Sequence, residues 1–263
     1  MSDAPKQPKG IASRKVLLAV LIAIVLCGVA YLVWYQVQVA RTQADAEGRE
    51  QPAVDSDSSG EGGQDELPDN PINFGEERSK NNDIYAWLYM EAAGINMPVL
   101  QSPADDSYYL THDMYKQENP FGSAFTQLAN KTDFSDPVTV IYAHDNEGLF
   151  KTLHDYEDPD FFEKNKEFQI FTPGHILTYT LVSAYKYDNR HILNSFDFSN
   201  AEVRKQYFAS VQDPDSLVRN VNPDVKLDED SKIVQLSTCM LNEFHGDSRY
   251  IVTGVLTDDQ PTK

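Results

Sequence analysis

Residues 233–239 read IVQLSTC and residues 249–256 read RYIVTGVL, with the nine residues Met240 to Ser248 between them. Both runs are rich in Val, Ile, Thr and Tyr, which fit a pleated, half-buried surface. Alternation along the first run puts Val234 and Leu236 on one face. Gln235, Ser237 and Cys239 share the other, more polar face. Antiparallel pairing through residues 240–248 sets Cys239 opposite Arg249, with Cβ atoms roughly 5 Å apart.

The same β character recurs upstream. Short strand-like runs are expected at Ile95–Leu100, Ser107–Leu110, Ser123–Gln127, Val138–Ala143, Phe168–Thr172 and Ile176–Tyr187. Three helices are expected among them. Ser79–Ala93 has Ile84, Trp87, Leu88 and Ala92 on one face and Gly94 as a stop. Gly148–Tyr156 reads as a short helix. Ser199–Gln212 opens on a capping box, Ser199 with Glu202, and turns Val203, Phe208 and Val211 inward. Many short strands with few helices predict a mainly β domain, a barrel or a sandwich.

The chain before this domain differs in character. Val16 to Tyr35 (VLLAVLIAIVLCGVAYLVWY) is twenty residues without a charge. As a helix it spans about 30 Å, the thickness of a bilayer's hydrocarbon core. Lys6, Lys9, Arg14 and Lys15 precede it, and Tyr31, Trp34 and Tyr35 close it. Basic flanks stay in the cytoplasm and aromatic rings favour the interface, so the C-terminal part is expected outside the cell. A cleaved signal peptide is the competing reading, and Ala44-Asp45-Ala46 supplies small residues for it. Its apolar core normally runs only about 7–15 residues, which favours an uncleaved anchor. Residues 36–75 include DSDSSGEGGQDELPDNP and read as an acidic, solvated tether. The expected organisation is a basic tail over 1–15, an anchor over 16–35, the tether over 36–75 and a folded domain over 76–263.

Charge follows these divisions. Residues 1–40 carry +3, residues 41–80 carry −7 and the rest −15, for a formal −19 over 263 residues. An acidic chain with pI near 4.5 lacks the basic surface that nucleic acid requires. Two cysteines exclude a disulfide scaffold. The acidic clusters Asp105-Asp106 and Asp228-Glu229-Asp230 lack a calcium-loop pattern and read as solvated turns, so no metal or cofactor is assigned.

Cys27 lies in the anchor, where a thiol is a small apolar group. That leaves Cys239 as the single cysteine of the exported domain. Buried structural cysteines are common. A lone thiol on a polar strand face, with histidines elsewhere, is instead a candidate nucleophile. Arg249 opposite it can donate to a developing oxyanion and favour the thiolate. Six histidines are available as a base. His144 ends the run Pro137-Val138-Thr139-Val140-Ile141-Tyr142-Ala143, and a rigid strand end suits catalysis. His112, His154, His175 and His191 read as solvated surface residues. His245 is the nearest rival, six residues past Cys239 in a loop.

These residues together resemble the sortase family. The resemblance rests on Tyr142-Ala143-His144, then Leu236-Ser237-Thr238-Cys239, then Arg249 at the start of a terminal strand. Asn-Met-Pro-Val-Leu-Gln at 96–101, Tyr108-Tyr109-Leu110-Thr111-His112, Gly122-Ser123-Ala124-Phe125 and the helix at 199–212 resemble class B members most. Many relatives have Gly where Ala143 stands, Asn where Thr111 stands, and some have Asp where Met240 stands. No role is carried onto Thr111, and no acidic residue is assigned to orient His144. A proline-rich lid is not evident.

The resemblance implies an eight-stranded β-barrel with a leading and an inserted helix, behind one transmembrane helix. It implies a cysteine transpeptidase that cuts a C-terminal sorting signal of secreted proteins, typically after Thr. The acyl group then passes to an amine of the cell-wall precursor or of a pilin. Cys239, His144 and Arg249 would be the catalytic residues, and Ser237 and Thr238 would shape the substrate groove. Two other readings stand beside it. One is a different cell-wall cysteine acyltransferase or peptidase. The other is a non-catalytic, membrane-tethered β domain that binds a surface partner.

Overall fold

The computed structural model describes residues 10–52, 67–239 and 248–263. His245 and the central part of the expected tether lie outside the described residues. The chain divides into a helical unit up to Arg41 and a β unit from Thr42 onward.

Helix α1 (Gly10–Glu47) contains the charge-free run. Its apolar side chains are exposed, with none of the apolar window covered by protein. By length and composition, Arg14–Glu47 is able to cross a membrane. The helix continues to Glu47, into the stretch expected as tether. Arg49 Nη1 donates to the carbonyl of Asn96 at 2.9 Å. Asn70 Nδ2 donates to the carbonyl of Thr172 at 2.8 Å. Within the expected tether, Arg49 and Asn70 therefore each satisfy a strand carbonyl of the β unit.

The expected helix over 79–93 is mostly a strand. Helix α2 (Phe74–Lys80) ends at Asn81, and β1 (Ile84–Met90) follows, buried at every position. Ile84, Trp87 and Leu88 have helical spacing, but the intervening Tyr85, Ala86 and Tyr89 are buried too. A continuous apolar run with β-branched and aromatic residues suits a central strand covered on both faces. Gly94 adopts φ 63° and closes only the single 3-10 turn Glu91–Ala93.

The remaining elements are β2 (Ile95–Leu100), β3 (Val138–Tyr142), α3 (Pro159–Lys164), β4 (Glu167–Thr172), β5 (His175–Asp188), α4 (Ile192–Ser195), α5 (Ala201–Gln212), β6 (Arg219–Val221), β7 (Ile233–Cys239) and β8 (Ser248–Pro261). They form one curled eight-stranded sheet in the order β2-β1-β4-β5-β8-β7-β3, with β6 on β5. The described neighbours are antiparallel except β3 and β7. The two edges meet through one residue. Phe125 exchanges backbone hydrogen bonds with Tyr142 at the end of β3, and its flanking residues bond Leu100 at the end of β2. The expected strand at 123–127 is reduced to this bridge, and 108–110 is a 3-10 turn.

Helix α5 covers the outer face of β7 and β3. Tyr207, Phe208 and Val211 pack on Val138, Val140, Ile233 and Ile251. Its N-cap is Asn200, whose side chain accepts from the amides of Glu202 and Val203. The cap thus falls one residue after the expected Ser199. This helix also changes the meaning of the polar face of β7. Gln235 is fully buried, accepting from Tyr207 Oη at 2.7 Å and donating to Thr253 Oγ1 at 3.2 Å. Its polarity serves an internal network rather than solvent.

Candidate functional site

Three adjacent strands end at the same edge of the sheet. In the parallel register of β3 and β7, Tyr142 lies beside Ser237. One residue on, the amide of Ala143 donates to the carbonyl of Ser237 at 3.2 Å. His144 follows directly. On the other side of β7, Cys239 pairs with Arg249 of β8, and Arg249 pairs with Tyr187 of β5. The expected hairpin register is therefore the observed one. The side chain of Cys239 lies outside what the structure describes.

A cleft of about 310 Å³ opens over these strand ends. His144, Arg249, Ser237, Thr238, Tyr142 and Leu110 line it, and Arg190 and His191 stand on its rim. Ser237 and Thr238 are buried in its wall. A larger groove of about 810 Å³, between residues 129–138 and α4, holds none of the expected site residues.

His144 is fixed from both ends. Its carbonyl accepts from the amides of Asn146 at 3.0 Å and Phe150 at 3.2 Å, which folds the loop back. Its Nε2 lies 2.9 Å from the carbonyl of Leu110. A carbonyl only accepts, so Nε2 carries a proton in this contact. Arg249 Nη1 donates to the carbonyl of Ser248 at 3.0 Å. Burial raises the phenol pKa of Tyr142, while the Arg249 charge works against that rise. Burial also raises the Asp145 carboxyl, against the charges of His154 and Lys151.

The other histidines are less uniform than expected. His154 is buried, paired with Glu157 at 2.7 Å and stacked on Tyr250 at 4.9 Å. His175 faces Asp259 at 2.6 Å. His112 stacks on Tyr108 at 3.9 Å. His191 is a cleft residue whose Nδ1 accepts from the amide of Asn194 at 3.2 Å. Sequence reasoning missed His191, Arg190, Leu110, Tyr142 and Tyr187 as cleft residues. For Tyr187, the available signal was its place at the end of a strand pairing with the one that begins at Arg249. Among the described residues, no three His, Cys, Asp or Glu side chains converge as a metal site.

The cleft thus offers an imidazole and a guanidinium beside the rung that carries a thiol residue. No family model matches the chain. Sortase B of Listeria monocytogenes is 26% identical over 178 residues, covering 67% of this chain and 70% of that protein. Sortase B of Staphylococcus aureus is 28% identical over 162 residues, covering 60% of this chain and 64% of its own length. The chain therefore spans under two thirds of the second relative. The crystal structure of a Streptococcus pyogenes class B sortase involved in pilus biogenesis superposes with a TM-score of 0.60 at 26% identity, covering 71% of this chain and 98% of that one. The chain is thus similar to sortases in sequence and in fold. The likeness is to the class B branch.

Proposed function

We propose that this protein is a membrane-anchored cysteine transpeptidase of the sortase type. It cleaves a C-terminal sorting signal of secreted proteins and transfers the acyl part to an amine of the cell-wall precursor or of a pilin. The observation that carries this reading is the meeting of His144 and Arg249 in one cleft, at the rung shared by Cys239 and Arg249.

The chemistry follows from those three groups. The Cys239 thiolate attacks the scissile carbonyl carbon, forming a C–S bond. Arg249 donates hydrogen bonds to the oxyanion of the tetrahedral intermediate. Protonated His144 gives its proton to the departing amine as the C–N bond breaks, leaving a thioester. An incoming amine then attacks the thioester, His144 takes its proton, and a new amide forms as the thiolate leaves. Ser237 and Thr238 wall the groove that holds the peptide beside these groups.

The helix able to cross a membrane supports anchoring through residues 16–35, with the basic N-terminal flank in the cytoplasm and the domain outside. Mass spectrometry of the full chain incubated with peptides bearing Thr at the scissile bond tests the reaction. A thioester adduct, and transfer to added amine rather than to water alone, are expected. Cleavage with water alone, whatever amine is added, would make the protein a peptidase. No adduct under any condition would leave a binding domain.

A further inference from the structure

Among the described residues, nine buried side-chain polar atoms have no hydrogen-bond partner. Four of them line the cleft: Tyr142 Oη, Tyr187 Oη, Thr238 Oγ1 and Gln127 Oε1. Unpartnered buried polar atoms are uncommon in folded proteins, so their concentration in one hollow needs a reason. A bound ligand that supplies the missing partners is such a reason.

We propose that Tyr142 and Tyr187 are substrate-binding residues whose hydroxyls donate to carbonyl oxygens of the acyl segment of the peptide. This rests on the transpeptidase reading. The two tyrosines flank Arg249. Tyr187 is its cross-strand partner, and Tyr142 lies close enough for the guanidinium to influence its phenol. Burial raises both phenols, so both remain protonated donors at neutral pH. Gln127 Oε1 is an acceptor, which suits a peptide N–H. Hydroxyl donors and an amide acceptor in one cleft match a polypeptide backbone, which presents both kinds of group.

Both hydroxyls are shielded from solvent. The Arg190 guanidinium sits 5.5 Å from the centre of the Tyr187 ring, and the His191 ring lies 6.3 Å from that of Tyr142. Arg190 is held by exposed bonds to Asp188 at 2.9 and 2.8 Å, which water can replace easily. An entering peptide displaces Arg190 and His191 and takes up the hydroxyls beneath.

The test is Tyr142→Phe, Tyr187→Phe and the double variant in the full chain, since Phe keeps each ring and its packing. Three quantities are measured: kcat/KM for thioester formation with a library of short peptides bearing Thr at the scissile bond, the thermal midpoint, and the rate of Cys239 alkylation by iodoacetamide. Each single variant is expected to lose about ten-fold in kcat/KM, the worth of one hydrogen bond. The thermal midpoint should hold or rise, because an orphaned hydroxyl is removed, and alkylation should be unchanged. A double variant with wild-type kcat/KM overturns the inference, as does a fall in kcat/KM that only tracks a lower midpoint. If the wild-type chain alkylates but forms no thioester with any peptide, the transpeptidase reading itself fails.

Discussion

Cys239 and Arg249 form the last antiparallel rung between β7 and β8. One strand over, the Ala143–Ser237 hydrogen bond continues the β3–β7 ladder to the residue before His144. The backbone thus sets three chemically distinct residues at adjacent strand ends, although 95 positions separate His144 from Cys239. Cys239→Ala removes only the sulfur from this frame. It should abolish thioester formation while leaving the circular dichroism spectrum and thermal midpoint close to wild type. A mass adduct that survives in the alanine variant would assign the nucleophile elsewhere.

Arg249 is the second residue of β8 and lies in the cleft with Tyr142 and Tyr187. A guanidinium presents a planar fork of donors, whereas lysine supplies a compact point charge. Arg249→Lys should therefore lower kcat by on the order of 10²-fold, the usual effect of losing an oxyanion donor. Single-turnover acylation rates measure this directly. Unimpaired acylation would remove Arg249 from the transition state.

The Cys239–Arg249 rung was readable because two β-rich runs flank a nine-residue connection, so a simple hairpin fixed the register. His144 was readable as the end of a β-branched run. The partners on the cleft's far wall were not. Tyr187 belongs to a strand that meets β8 only through long-range pairing, and Tyr142 resembles any core tyrosine until its hydroxyl is found without a partner. The misread helix at 84–90 has a similar origin. Helical spacing and a fully buried strand give the same pattern when every residue in the run is apolar. The polar stripe of β7 divides in a way local sequence cannot report: Gln235 is buried against Tyr207 of helix α5, whereas Ser237 lines the cleft.

Gln235 ties that buried layer together. Its amide accepts from Tyr207 Oη at 2.7 Å and donates to Thr253 Oγ1 at 3.2 Å, fully shielded from solvent. Gln235→Leu is near in volume but strands the Tyr207 hydroxyl under α5. Leaving a buried donor unsatisfied costs about 1–3 kcal/mol. Urea unfolding should show a lower midpoint at unchanged m-value, with acylation per folded molecule retained. A variant as stable as wild type would mean that the hydroxyl finds another acceptor.

Asp145 follows His144, and one of its carboxylate oxygens is buried without a partner. Burial raises its pKa, opposed by the charges of His154 and Lys151. A carboxyl whose folded pKa lies above its unfolded value binds its proton more tightly in the native state. Its ionisation therefore destabilises the fold at neutral pH, and that penalty fades as pH falls through the folded pKa toward the unfolded value near about 3.9. Asp145→Asn keeps the shape and removes the charge. Its thermal midpoint should exceed wild type at about pH 7, and the difference should shrink as pH falls through the folded pKa and vanish below the unfolded one. Thermal melts across that range read the sign directly. A wild-type advantage at neutral pH would mean that His154 and Lys151 outweigh the desolvation and that the carboxylate is held as an anion.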